Sequence, residues 1–316
     1  MTRTKKTNFV FLSIVIFYIA MSFVLRYIRE YIMIPLPISL IVSQLLILIP
    51  IIIFVIKKKY WPINQVQHTK LKGSVILLLI VFTYLMIPLI AVINALSMLF
   101  VENTTVGVME GISSFPLIIS VFFIAILPAC SEEVVFRGVF YHSYRENGIG
   151  KGIFMSGFLF GLMHLNFNQF CYAFVMGMIF ALLIEATGSI YAPILVHFCF
   201  NCNSVILTKM MDIANKMGGS TGVESTILGS QGTNPEYRYV LIIAILGLGV
   251  VSLFTTAAAV GIYISIACIN GRLPYIKDLF TGKLRVRSSK DRIWDGYLIS
   301  AVLICFLFMV YRTFLI

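Results

Sequence analysis

Nine stretches of almost unbroken apolar sequence, separated by short polar segments, organise the chain. They are Asn8–Leu25, Met33–Ile56, Ser74–Val101, Pro116–Tyr144, Gly152–Leu165, Phe170–Ala186, Ile190–Leu207, Tyr239–Ile269 and Trp294–Phe314. Runs of this kind suit helices that span a hydrocarbon core of ~30 Å. The pattern therefore predicts an all-α fold, a polytopic transmembrane helix bundle of about 8–9 spans. Gly152–Leu165 is short for a crossing and Pro116–Tyr144 is long, so their boundaries are the least defined. Arg3, Lys5 and Lys6 precede the first run as they would in a signal peptide. Arg26-Tyr27-Ile28-Arg29 then stands where a small-residue cleavage site would be, which predicts a retained first helix. Asp212–Arg238, rich in Gly, Ser and Thr, reads as an irregular loop over the membrane surface. No sequence repeat and no appended soluble domain is apparent.

Composition strengthens this picture. Of 316 residues, 59% are hydrophobic and only 12% charged, with a mean hydropathy of +0.97; soluble domains carry about a quarter charged residues. A net charge of +11 would ordinarily raise nucleic acid as a partner. Here the Lys and Arg residues fall in short loops between apolar runs, which points to the lipid bilayer and against nucleic acid. With nine alternating spans and the N-terminus inside, 17 of the 24 basic residues lie on the inner side and six on the outer, Arg137 being the remaining one. The positive-inside rule then predicts a multi-pass cell-membrane protein with a cytoplasmic N-terminus. All six cysteines lie in apolar stretches, and Cys199-x-x-Cys202 has no second pair to complete a cysteine zinc site.

Charged and polar side chains inside such runs are costly, and they face cavities, pair with one another or do chemistry. Glu132, Glu133 and Arg137 interrupt the fourth run, His164 ends the fifth, and His197 and Asn201 occupy the seventh. Glu133 and Arg137 are four residues apart, the spacing of a helical ion pair, as are His197 and Asn201 on their own helix. The Asn147-Gly148-Ile149-Gly150 turn makes the fourth and fifth runs an antiparallel pair. Glu132 lies 16 residues before Gly148 and His164 16 after it. At ~1.5 Å per residue this predicts matching depths, roughly 20–24 Å from the turn. Gly157 and Gly161 would allow close helix approach, and Phe160 lies one turn before His164. A buried brace between Glu133 and Arg137 would leave Glu132 pointing elsewhere. Singly, each polar residue also fits a structural role; jointly, they mark a site. Glu132, His164 and His197 make a Glu/His/His set of the type that holds catalytic zinc, although no His-Glu-x-x-His is present. No serine stands in a nucleophile-elbow context, so a glutamate-activated water suits peptide hydrolysis better than covalent catalysis.

Glu132-Glu133-x-x-x-Arg137, then Phe160-x-x-x-His164, then His197-x-x-x-Asn201 behind Gly188-Ser189-Ile190 resembles the CPBP family of intramembrane proteases. That family takes in CAAX prenyl endopeptidases and bacteriocin-processing or self-immunity proteins. The resemblance covers roughly Leu117–Leu207. It divides the chain into N-terminal transmembrane helices (1–115), a protease-like core of about four helices (116–208) and an outer loop with C-terminal helices (209–316). It implies Glu132 as the catalytic base or acid with His164 beside it, and His197 and Asn201 on the scissile carbonyl or oxyanion. The candidate catalytic residues are thus Glu132, Glu133, His164, His197 and Asn201, supported by Arg137 and Phe160. No cofactor is fixed by the resemblance, and a divalent metal such as zinc on Glu132, His164 and His197 stays open. The expected partner is a membrane-associated peptide or protein substrate, with oligomeric state undetermined. Two other classes stay open: a non-catalytic scaffold or immunity protein binding a peptide or partner protein, and a transporter. A transporter would call for inverted repeats or paired broken helices.

Overall fold

The computed structural model describes residues 1–58, 69–103, 105–217, 235–283 and 292–314. Lys59 of the second loop, Arg285, Arg287 and Lys290 of the last inner loop, and 218–234 of the expected outer loop lie outside the described residues. The described chain is helical: α1 (Arg3–Arg29), α2 (Leu36–Lys58), α3 (Gly73–Met98), the short α4 (Val106–Ser113), and a long rod α5 (Leu117–Arg145). There follow α6 (Ile149–Met163), α7 (Phe167–Thr187), α8 (Tyr191–Lys216), α9 (Pro235–Ile269), the short α10 (Leu273–Phe280) and α11 (Gly296–Phe314). Among the described residues, eight helices are long and apolar enough to cross a membrane, and α6 is a shorter apolar helix. The protein is an all-α, multi-pass membrane bundle. Large apolar side chains on its outer faces, such as Ile243, Leu246, Leu253 and Phe254 of α9, are exposed, as lipid contact requires. The short helices α4 and α10 were not anticipated, because eight residues between longer runs carry little periodic signal.

At 15 residues, α6 is roughly 22 Å long at 1.5 Å per residue. It ends at His164 and turns through Leu165, which has a left-handed φ of 51°. Asn166 then caps α7, its side-chain oxygen accepting from the Gln169 backbone N–H at 2.9 Å. The α6–α7 hairpin closes on glycines. A Cβ at Gly157 would lie 2.7 Å from the Phe174 carbonyl oxygen and 2.9 Å from the Met178 nitrogen, and one at Gly177 would lie 2.6 Å from Gly157 Cα.

One end of the bundle is defined by polar contacts. Asn147 donates to Thr4 at 2.8 Å, Asn8 to the Ile293 carbonyl at 2.8 Å, and Tyr144 to Asn8. At the same end Arg145 binds the Glu185 carboxylate through Nε at 2.7 Å and Nη2 at 3.1 Å, and Tyr141, Tyr275 and Arg272 close on Glu185. Burial pushes the Tyr275 phenol up to about 12, helped by its hydrogen bond to Glu185 and that carboxylate's charge, so Tyr275 remains a proton donor at neutral pH. These contacts gather the N-terminus, the turn at Asn147, α10 and the entry to α11 at a single basic end.

Gly157→Ala should lower the melting temperature of the purified protein by several degrees, since overpacking against immovable backbone costs about 1–3 kcal/mol. Gly73→Ala, where nothing lies within 4 Å of the new Cβ, is the control and should melt like the parent.

Candidate functional site

The rod α5 is not a uniform α-helix. Phe122–Ile126 and Val134–Tyr141 are π-helical, a geometry found mostly in short stretches, often at functional sites. In each stretch a carbonyl serves a side chain from outside the rod. Ile124 accepts from Asn201 Nδ2 at 3.0 Å, and Phe136 accepts from Ser156 at 3.3 Å.

Glu132 and Glu133 stand at the junction before the second π stretch and occupy different environments. The Glu133 side chain is fully buried, and one of its oxygens, Oε1, serves two partners: Arg137 Nη1 at 2.9 Å and His197 Nδ1 at 2.9 Å. The Arg137 guanidinium, also fully buried, lies over the rings of Phe160 at 4.5 Å and Phe180 at 4.9 Å. The absence of a side chain at Gly177 leaves it room: a Cβ there would lie 3.2 Å from Arg137 Nη2 and from Phe160. His197 stacks on Phe180, centroids 5.1 Å apart, and meets Phe160 edge-on at 5.9 Å. The expected Glu133–Arg137 brace is present, and it also holds His197.

Glu132 points the other way, into a cavity of about 130 Å³, and its side chain is 13% exposed. Tyr18 of α1, Ser43, Gln44 and Ile47 of α2, Phe136, Phe160, Met163, His164 and Gln169 line the same cavity. Glu132 and His164 therefore share one cavity, as their equal spacing from Gly148 predicts. His164 Nδ1 lies 2.8 Å from the Phe160 carbonyl. A carbonyl can only accept, so this contact selects the Nδ1–H tautomer and leaves Nε2 as a lone-pair acceptor. His197 approaches from behind Glu132, its Nε2 4.0 Å from Oε2. Asn201, one turn further on, is not part of the cavity wall; its amide is engaged with α5.

Sequence reasoning missed Gln44. Its Nε2 donates to Glu132 Oε1 at 3.1 Å, while Ser131 Oγ lies 2.6 Å from Gln44 Oε1 and 2.7 Å from the Leu127 carbonyl. Gln44 thus joins α2 to α5 and aims an amide proton at the cavity-facing carboxylate. The available signal was the Ser43-Gln44 pair inside the otherwise apolar Met33–Ile56 run. Gln169, at the start of α7, was also missed; it lies in the short polar Asn166-Phe167-Asn168-Gln169 stretch between two apolar runs.

Among the described residues no three His, Cys, Asp or Glu side chains are grouped to hold an ion. The cysteines likewise form no such group.

Arg137→Ala should destabilise the fold on the order of 3–5 kcal/mol, the usual consequence of stranding a buried charge. Glu133→Gln combined with Arg137→Met should recover part of that loss, read as melting temperature in the same detergent.

A model of the family described as Type II CAAX prenyl endopeptidase Rce1-like matches residues 114–203. The match takes in Glu132, Glu133, Arg137, Phe160, His164, His197 and Asn201, and leaves Tyr18 and Gln44 outside. It covers under a third of the chain. No curated protein and no solved structure matches the chain.

Proposed function

We propose that this bundle, with its Rce1-like segment as the working part, is an intramembrane endopeptidase that hydrolyses a peptide bond of a membrane-associated peptide or protein. The observation that carries the reading is the pairing of Glu132 and His164 across one small polar cavity inside an apolar bundle. Nothing about packing requires a second carboxylate there, because Glu133 alone supplies the Arg137 pair.

In this reading Glu132 takes a proton from a water in the cavity as that water attacks the scissile carbonyl, and passes it to the departing amine. The Gln44 amide suits both states of the carboxyl group: its N–H₂ end donates to the carboxylate, and after a flip its oxygen accepts from the acid. Ser131 can follow the flip, donating to Gln44 Oε1 in one state and to the Leu127 carbonyl in the other. His164 Nε2 accepts a hydrogen bond from the water and orients it. Gln169 offers an uncharged amide in the cavity wall to the developing oxyanion. Asn201, the expected oxyanion donor, stands outside the cavity wall, with one of its two amide protons engaged by the Ile124 carbonyl. Glu133, Arg137 and Phe160 act as positioning residues that fix His197 and the α5–α6 geometry. The N-terminus and the basic end face the cytoplasm, and the substrate is a peptide or membrane protein embedded in or lying on the bilayer. No step is drawn through a metal.

The test is comparative membrane and secreted peptidomics of cells carrying the parent, Glu132→Ala or His164→Ala at matched protein levels. A precursor left uncut in both variants supports the reading and identifies the substrate. Unchanged profiles, with any loss-of-function phenotype rescued by both variants, overturn it in favour of a non-catalytic binding protein. With a substrate in hand, Gln44→Leu should reduce turnover about 100-fold, the lower end of general acid–base contributions, and Gln44→Asn should not restore it, because the shorter amide cannot reach Glu132 from α2.

A further inference from the structure

A second cavity, of about 600 Å³, opens at the basic end, between the first turns of α6 and the segment that enters α11. Its volume falls within the range of small-molecule sites. Two cations stand in its wall, Lys151 from α6 and Arg292 from the entry to α11. Both are exposed, and among the described residues neither has an ion-pair or hydrogen-bond partner. The N-terminus of α6 adds to the positive potential. Gly148 supplies no side-chain cap, so the N–H groups of the first turn, Gly150 included, are open to an acceptor.

The rest of the wall is aromatic and apolar. Phe154 stacks on Phe158 with centroids 5.9 Å apart, and Trp294 approaches the same Phe158 ring at 6.2 Å. Phe154 and Trp294 are 46% and 50% exposed, values that would be unfavourable in water but are ordinary at a membrane interface, where tryptophan concentrates. Lys151, Phe154 and Phe158 follow one another along one side of α6 at three- and four-residue intervals. The cations are therefore outermost, and the aromatic track runs from them towards bilayer depth. A ligand that complements this order carries an anion at one end and a hydrocarbon chain at the other.

We propose that this cavity binds the headgroup and first acyl carbons of an anionic phospholipid from the leaflet at the basic end. Lys151, Arg292 and the α6 N-terminus hold the phosphate, and Phe154 and Trp294, both packed on Phe158, hold the chain. The inference is independent of the proteolytic reading, since it uses no residue of the Glu132 cavity. Basic pockets between transmembrane helices are a recurrent form of lipid headgroup site.

The chain supplies its own probe. It contains two tryptophans, Trp61 and Trp294, so a Trp61→Phe protein reports from Trp294 alone. That protein is reconstituted in bilayers containing phosphatidylglycerol or phosphatidylcholine with brominated acyl chains, and quenching is followed as a function of mole fraction. The expected result is stronger quenching by the anionic lipid, with an apparent preference of about twenty-five-fold, roughly fivefold for each cation. Lys151→Ala with Arg292→Ala should abolish the preference, and Lys151→Arg with Arg292→Lys should retain most of it. Unaltered melting temperatures keep a folding defect apart from a binding defect. Millimolar inorganic phosphate should leave the quenching unchanged. Equal quenching by the two lipids, or a preference that survives loss of both cations, overturns the proposal. Full displacement by phosphate would also overturn it, assigning the site to a free anion.

Discussion

A single buried oxygen, Glu133 Oε1, links α5 to α8 directly and, through Arg137, to α6 and α7. It accepts from Arg137 along α5 and meets His197 from α8, while Arg137 spreads over Phe160 of α6 and Phe180 of α7. A carboxylate and a guanidinium without exposure are expensive to desolvate, and such a pair persists only where geometry and additional partners are favourable. Here the aromatic faces and the imidazole supply part of them, while Glu133 Oε2 and Arg137 Nε and Nη2 have no hydrogen-bond partner among the described residues. The consequence is directional. With Glu133 committed inward, the adjacent residue, about 100° around the helix, projects Glu132 into the cavity beside His164.

The cavity is not made by the Rce1-like segment alone. Tyr18 and Gln44 come from α1 and α2, outside the matched residues, and Gln44 makes the direct hydrogen bond to Glu132. The N-terminal helices thus complete the polar lining, and they also tie the basic end together through Thr4 and Asn8. The glycine-closed α6–α7 hairpin gives the opposite wall: its backbone approach at Gly157 and Gly177 brings Phe160 and His164 within reach of α5.

Much of this geometry is legible in the residue order. Apolar run lengths predict the membrane helices, the short fifth run corresponds to the short α6, and the equal spacing of Glu132 and His164 about Gly148 predicts their shared cavity. The four-residue spacing of Glu133 and Arg137 predicts their contact. What spacing could not reveal depends on departures from regular helix or on contacts distant in sequence. The two π-helical stretches of α5 have no simple residue signature, yet they include the carbonyl that engages Asn201. Gln44 lies 88 residues from Glu132, and a lone amide in an apolar run does not reveal which helix it will meet. Eight-residue helices such as α4 and α10 are too short for their periodicity to stand out.

The central claim is a division of labour between neighbouring carboxylates, and the most direct measurement sets melting temperature beside single-turnover cleavage for Glu132→Gln and Glu133→Gln in the same bilayer. The account predicts that Glu132→Gln melts like the parent and does not cleave, whereas Glu133→Gln melts several degrees lower and keeps measurable cleavage below its melting point. Cleavage by Glu132→Gln, or a Glu133→Gln protein as stable as the parent but inert, would contradict it.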